Sequence, residues 1–113
     1  MAIHIVLDCA DPKRLAEFWS RALGYEVRGF AEQWGMLTGP REGEVFLLQQ
    51  VAEPKSGKNR MHIDVTTPDI EGKAKELEGI GARRLTDKLL TQFNAEWIPM
   101  ADPEGNEFCV CKA

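Results

Sequence analysis

The sequence predicts an α+β fold made of two tandem βαβββ modules. Each of two helix-like segments is preceded by one strand-like segment and followed by three. A His-Ile pair opens each half, and an Asp follows seven positions after that His. The repeated residues, 58 positions apart in the two halves, are His4, Asp11, His62 and Asp69. Repetition of this kind indicates that one structural unit is used twice.

The first module begins with a strand over 3–9 and continues with a helix that has clear start and stop signals. Asp11 can cap the helix N-terminus, Pro12 suits the first helical position, and Gly24 ends the helix. The apolar residues that fall on one helix face are Leu15, Phe18, Trp19, Ala22 and Leu23. The three strands that complete the module are expected at 25–30, 33–38 and 44–50.

The second module repeats this order after a polar linker at 53–59. A strand at 60–66 precedes a helix that Pro68 and Asp69 open and that ends near Gly79. The following strands are expected at 82–87, 95–100 and 106–112. The last two are joined by Asp102-Pro103-Glu104-Gly105, a strong signal for a type I turn. The expected organisation is therefore one domain, with modules at 1–52 and 60–113.

Strand alternation divides the first and last strands of the modules into a polar face and an apolar face. The polar faces carry three sets of residues: His4, Val6 and Asp8; His62, Asp64 and Thr66; Glu107, Cys109 and Cys111. The apolar faces carry Ile3, Ile5 and Leu7; Ile63 and Val65; Phe108 and Val110. Apolar faces pack against helices, so we expect the polar faces to converge on a concave surface where a ligand binds.

Composition narrows the class of protein. The 113 residues are 43% hydrophobic and carry a net charge of −4, which is typical of one globular domain and argues against nucleic acid as the main partner. No apolar run is long enough for a membrane span, and the N-terminus shows no secretion signal. We therefore expect a cytoplasmic protein whose three cysteines, Cys9, Cys109 and Cys111, are reduced.

Three stretches resemble the vicinal oxygen chelate superfamily, which includes glyoxalase I and the bleomycin-resistance and fosfomycin-resistance proteins. They are HIVLDCADPKRLAEFWSRALGY near the start, KNRMHIDVTTPDIEG in the middle and MADPEGNEFCVCKA at the end. The resemblance covers essentially the whole chain and is strongest to the branch called glyoxalase-like domains. It implies that each module curls its mixed sheet into half of an open cup, and that the protein forms a homodimer.

The resemblance also implies a metal site, from which this chain departs. Metal-dependent members place two His and one or two Glu on the first and last strands of each module. His4 and His62 occupy the histidine positions, but Cys109 and Leu47 stand where the closing strands would carry Glu. Glyoxalase-type chemistry uses an oxygen-rich metal site, whereas two imidazoles and a thiolate are a donor set that suits zinc. The expected ligands are therefore His4, His62 and Cys109, for a divalent Zn, Ni, Mn or Fe; the alternative is a site without metal.

Other residues are candidates for binding or catalysis. Asp64 and Asp8 are unusual in strands and could act as a base or orient a histidine, or else pair with a cation at the sheet rim. Trp34 and Trp97 could form stacking walls for a planar ligand, or belong to the core or to a dimer interface. Glu107 could supply the missing carboxylate or lie at a solvated strand end.

Three functions follow from these residues. The first is a small-molecule binder that uses the cup between the modules without metal. The second is a divergent metal-dependent lyase or isomerase of the glyoxalase type that uses His4 and His62. The third is an enzyme without metal that uses Asp64 or Asp8 as general base beside a histidine. The fold alone does not choose among them.

Overall fold

A computed structural model describes residues 4–112 of the chain. These residues form two compact units, and the boundary between them along the chain falls between Lys55 and Ser56. Each unit contains one helix and one mixed sheet; the first follows the predicted βαβββ order, and the second follows it with one additional strand. Neither helix in the described part of the chain has the length and apolar character that a bilayer crossing needs.

The first unit holds four strands in the order β1-β4-β3-β2, with β1 parallel to β4 and the other neighbours antiparallel. Its elements are β1 (Ile5–Cys9), α1 (Pro12–Leu23), β2 (Glu26–Ala31), β3 (Trp34–Thr38) and β4 (Val45–Gln50). The boundaries agree with the predicted ones to within two residues. His4 lies immediately before β1, and Ile3 falls outside the described residues.

Helix α1 begins and ends where its capping residues predict. The Asp11 carboxylate accepts the backbone N–H of Arg14, and Gly24 adopts the left-handed conformation with φ of 71°. The buried face of the helix consists of Leu15, Ala16, Phe18, Trp19 and Ala22. This face packs on β2, β3 and β4.

The packing of α1 also corrects one expectation. Ile5 was expected beneath the helix, yet 41% of its surface is exposed, while its β4 partner Phe46 is buried. Strand β1 lies at the edge of the sheet, and α1 packs mainly on the other three strands. The start of an edge strand is therefore left uncovered.

The second unit has five strands. Its elements are β5 (Ile63–Thr67), α2 (Ile70–Glu78), β6 (Arg83–Arg84), β7 (Leu90–Gln92), β8 (Ala95–Ala101) and β9 (Glu107–Lys112). The order is β5-β9-β8-β6, with β7 also pairing β8, and β5 is parallel to β9. Helix α2 starts at the cap Asp69, whose carboxylate accepts the Gly72 N–H.

The alternation predicted for β5 and β9 is observed. Val65, Phe108 and Val110 are buried with α2 against them, whereas Asp64 is exposed and Cys109 is half-buried. The turn before β9 is also as expected, because the Gly105 N–H donates to the Asp102 carbonyl across four residues. Parallel pairing of β5 with β9 thus fixes which side chains reach the open face.

Strand β7 is absent from the sequence prediction, and the strand expected at 82–87 is reduced to Arg83–Arg84. Strand β7 forms a hairpin with β8 through a two-residue loop, Phe93 and Asn94, whose φ angles are 50° and 65°. Positive φ at both loop positions is the type I′ geometry that suits hairpin twist. Asn commonly adopts this conformation but Phe does not. Only one of the two loop residues is therefore of the type that usually indicates such a hairpin.

We predict that Phe93→Asn stabilises the protein by about 0.5–1 kcal/mol, because Asn tolerates the left-handed conformation better than Phe does. The Phe93 side chain is 92% exposed, so its removal costs little packing. Urea unfolding of the two proteins checks the gain. Met61→Asn is the matched control, since Met61 is 79% exposed and does not have a positive φ. An equal gain in both variants would mean that the backbone is not the cause.

Candidate functional site

A pocket of about 740 Å³ opens on the second unit, on the sheet face that does not contact α2. Its volume lies within the range of small-molecule sites. The residues that line it are Lys58, His62, Asp64, Leu85, Leu90, Asn94, Ala95, Glu96, Trp97, Pro99, Glu107, Phe108, Cys109, Cys111 and Lys112. Every one of them belongs to the unit that begins at Ser56.

One wall of the pocket is apolar. Leu90 and Trp97 are directly paired between β7 and β8, and Pro99 follows on the same side of β8. Leu85, which is 40% exposed, adds to this wall from the segment between β6 and β7. Exposed apolar side chains that surround a concave surface are typical of a ligand site.

The opposite part of the pocket holds a polar cluster of His62, Asp64 and Cys109. Asp64 and Cys109 are direct partners in the parallel ladder of β5 and β9, so both project to the open face. His62 precedes β5, and its Nε2 lies 3.3 Å from Asp64 Oδ1. One ligand atom from each of the three residues lies within 4.8 Å of the others. The His62–Asp64 pair is about half exposed, so it adds little to stability.

The thiol of Cys109, within the cluster, and that of Cys111, next to it, both have a raised pKa and are protonated at neutral pH. Burial raises the pKa of Cys109, the negative charge of Asp64 raises it further, and Lys58 lowers it. The pKa of Cys111 rises to about 11, first through burial, then through the charge of Asp64, the neighbouring Cys109 and a hydrogen bond with the Asp64 carboxylate. Neither thiol is a ready nucleophile in this state.

Glu107 is committed to a structural contact at the rim. Both of its carboxylate oxygens accept the backbone N–H of Asn59, at 3.1 and 3.2 Å. This contact ties the segment before β5 to the start of β9. Glu107 does not belong to the three-residue cluster, so Cys109 is the closing-strand residue that takes part in it.

The structure brings together part of the predicted site. His62, Asp64, Trp97 and Cys109 all line the pocket of the second unit. His4, Asp8 and Trp34 belong to the first unit, where His4 and Asp8 are exposed and Trp34 is half-buried. Their roles, and the approach of His4 to His62, stay predictions.

Sequence reasoning identified Trp97 as a possible wall of the site but missed Leu85, Leu90 and the two lysines of the lining. Leu90 was missed because strand β7 was not predicted, and Leu85 fell in the strand expected at 82–87, which the structure reduces to Arg83–Arg84. The alternation of Leu90, Gln92, Ala95 and Trp97 around Asn94 is the signal that could have shown this hairpin. Lys58 was assigned to the linker at 53–59, and Lys112 was not among the candidate site residues.

The donor set of the cluster suits a divalent cation of intermediate softness. An imidazole, a carboxylate and a thiolate are all zinc ligands, whereas magnesium and manganese prefer oxygen. The separation of 3.3 Å between His62 Nε2 and Asp64 Oδ1 equals the spacing, about 3.3 Å, between two tetrahedral ligands bonded at about 2.0 Å. His62, Asp64 and Cys109 would therefore hold such an ion.

The paired βαβββ units define a protein of the glyoxalase/bleomycin resistance type, which is the vicinal oxygen chelate superfamily. The family model described as Glyoxalase-like domain matches residues 4–111, and the chain belongs to this family.

Solved structures show the same fold at low sequence identity. A glyoxalase/bleomycin resistance protein/dioxygenase family enzyme from Burkholderia phytofirmans PsJN has 14% identity and a TM-score of 0.78, with 96% of this chain and 95% of that chain covered. A glyoxalase/bleomycin resistance protein/dioxygenase from Nocardioides has 19% identity and a TM-score of 0.77, with 99% and 82% covered. A search of curated protein sequences found no significant match.

We predict that Cys111 reacts with iodoacetamide about ten- to a hundredfold more slowly than an ordinary thiol at neutral pH, since its raised pKa leaves little thiolate. The rate should keep rising as the pH approaches about 11, where the thiolate becomes the main form. Peptide mapping by mass spectrometry measures each cysteine separately. Asp64→Asn should speed the reaction at neutral pH because it removes the nearby negative charge. A rate that levels off near the ordinary thiol pKa would contradict the assignment.

Proposed function

We propose that this protein binds a small organic molecule in the pocket of its second unit. The observation that carries the proposal is a ligand-sized concavity with an apolar wall on one side and three titratable groups on the other. Sites of this kind bury the apolar body of a ligand and orient it through a few polar contacts. The fold is shared with proteins named for bleomycin resistance, but a shared fold does not identify the ligand.

The arrangement of the lining favours a planar or apolar molecule with one polar end. Trp97 offers an indole face beside Leu90, and stacking against such a face favours flat ligands. Lys58 and Lys112 lie at the pocket with Asp64, Glu96 and Glu107, so the lining presents both signs of charge. A ligand with hydrogen-bonding groups at one end therefore fits better than a uniformly charged one.

A panel of planar metabolites and antibiotics, tested by thermal shift with a chelator present, checks this proposal. A ligand at about a hundred times its Kd stabilises the native state by about 2.7 kcal/mol, which raises the Tm by several degrees. We predict that Trp97→Ala weakens binding of any hit by roughly tenfold or more. Leu90→Glu, which puts a charge into the apolar wall, should also abolish the shift.

Trp34→Ala is the matched control, because Trp34 occupies the corresponding place on β3 of the first unit. Trp34 pairs with Gln49 of β4, as Trp97 pairs with Cys111 of β9. Binding should survive this substitution if the ligand site belongs to the second unit. The proposal fails if no compound in a broad panel shifts the Tm, or if Trp97→Ala and Leu90→Glu leave the affinity of every hit unchanged.

A second candidate is a metal-dependent lyase or isomerase of the glyoxalase type, which the cluster of His62, Asp64 and Cys109 favours. A bound divalent ion would supply Lewis-acid polarisation of the substrate's oxygens. The closing-strand position, however, carries a thiol in place of a carboxylate, so the usual base is missing. Activity with added metal on vicinal-dicarbonyl or hemithioacetal substrates, lost in His62→Ala, would favour this candidate over simple binding.

The third candidate, an enzyme without metal, depends on the contact between His62 and Asp64. In that reading Asp64 acts as base beside the imidazole, and Asp8 would serve in the first unit. A homodimer and a cytoplasmic location remain part of the proposal, and light scattering of the purified protein tests the first of these.

A further inference from the structure

The hairpin of β7 and β8 ends in an exposed arm. Strand β7 forms only three residue pairs with β8, the last of them Gln92 with Ala95 beside the turn, and it packs mainly on β8. Residues 91–95 around the turn are all exposed. Segments with a short ladder and few buried side chains move at little free-energy cost, and binding loops are drawn from such segments. The arm can therefore change its position while the strands that carry the core stay in place.

This arm borders the pocket of the second unit. Leu90 and Trp97 belong to the apolar wall. The lining continues along β8 through Ala95 to Asn94 in the turn. Phe93 precedes Asn94 directly, and consecutive Cα atoms are about 3.8 Å apart. The Phe93 ring is therefore attached one residue away from the lining, at the edge of the pocket.

The fold does not account for an aromatic residue at position 93. Phe93 has a φ of 50°, in the left-handed region that Phe rarely adopts, and 92% of its surface is exposed. The β2–β3 hairpin of the first unit has the exposed Glu32 in its turn, with a φ of 52°. A solvated charge in such a turn is ordinary, whereas an exposed ring gains no packing in the free protein. Backbone strain of this kind is found at binding sites, where the strained residue has a functional contact.

We propose that Phe93 is a ligand-contacting residue whose ring covers the apolar body of a molecule bound in the pocket. Phe93 has this role only if the pocket binds a small molecule, as proposed above. The arm then closes on the ligand, which lies between the Phe93 ring and the wall that contains Trp97. Two aromatic side chains on opposite sides of one ligand favour flat aromatic compounds over branched aliphatic ones. The ligand class is therefore an aromatic compound whose polar end is directed towards the polar cluster.

The fluorescent dye anilinonaphthalene sulfonate, a flat aromatic molecule with one polar end, is the probe for the role of Phe93. Its Kd is measured by titration of the full chain with a chelator present. We expect Phe93→Asn to weaken binding by roughly tenfold, because the substitution removes the area that one aromatic ring buries on the dye. The same substitution stabilises the free protein, so the two effects have opposite signs. Phe93→Leu keeps an apolar side chain and should weaken binding by about threefold or less.

Met61→Asn is the matched control, because Met61 is also exposed and also precedes a lining residue, His62, yet does not have a positive φ. This control should leave the Kd within about twofold. Trp97→Ala reports on the pocket itself and should weaken binding by roughly tenfold. Fluorine NMR of the chain labelled with para-fluorophenylalanine reports on the ring directly. The chain has five phenylalanines, and Phe93→Leu identifies the signal of position 93, which should shift when the dye binds.

The role of Phe93 is overturned if Phe93→Asn keeps the affinity within about twofold while Trp97→Ala lowers it, and the pocket then still stands as the binding site. It is also overturned if the Phe93 signal does not shift, or if the wild-type chain does not bind the dye. A change of oligomeric state in Phe93→Asn, seen by light scattering, would assign the ring to a subunit contact instead. Dye binding that survives Trp97→Ala as well counts against the pocket, which the metabolite panel tests separately.

Discussion

Parallel pairing between the first and last strand of each unit is the constraint on which the structure depends. It joins β1 to β4 and β5 to β9, segments that are far apart in the sequence. Each pairing fixes which side chains lie under the helix and which reach the open face. In the second unit it buries Val65, Phe108 and Val110 and leaves Asp64 beside Cys109. A shift of one residue would exchange the two faces, so core and candidate site are determined together.

Because the open face is not needed for the core, its residues can differ between units that share one fold. The buried faces of the two closing strands are alike, with Phe46 and Leu48 in one unit and Phe108 and Val110 in the other. The open faces differ, since Leu47 stands where the second unit has Cys109. The same backbone thus supports aliphatic side chains at these positions in one unit and a polar cluster in the other.

Much of the fold could be predicted from local signals. Asp11 and Asp69 cap the helices as their positions suggested, and the turn from Asp102 to Gly105 formed as expected. These signals depend on contacts within a few residues, so a single sequence reveals them. The β7–β8 hairpin was not predicted because its loop has Phe93 where Asn or Gly is usual, and Phe rarely adopts positive φ.

The site was harder to predict than the fold. Alternation put Asp64 and Cys109 on open faces, but their direct pairing depends on the register between distant strands, which alternation does not determine. The resemblance to metal-dependent relatives pointed to His4 with His62, which stays a prediction, and within the second unit the structure groups His62 with Asp64 and Cys109. Trp97 was predicted as a possible wall of the site, but its partner Leu90 belongs to β7 and could not be assigned without that strand.

A crystal structure of the protein is the most direct measurement of the central claim, that one strand register brings a histidine, a carboxylate and a thiol together on the open face of the second unit. The account predicts donor atoms of His62, Asp64 and Cys109 within about 5 Å of one another, in agreement with the 4.8 Å found here, and Phe108 under α2. A register that places Cys109 beneath the helix and Phe108 on the open face would contradict it.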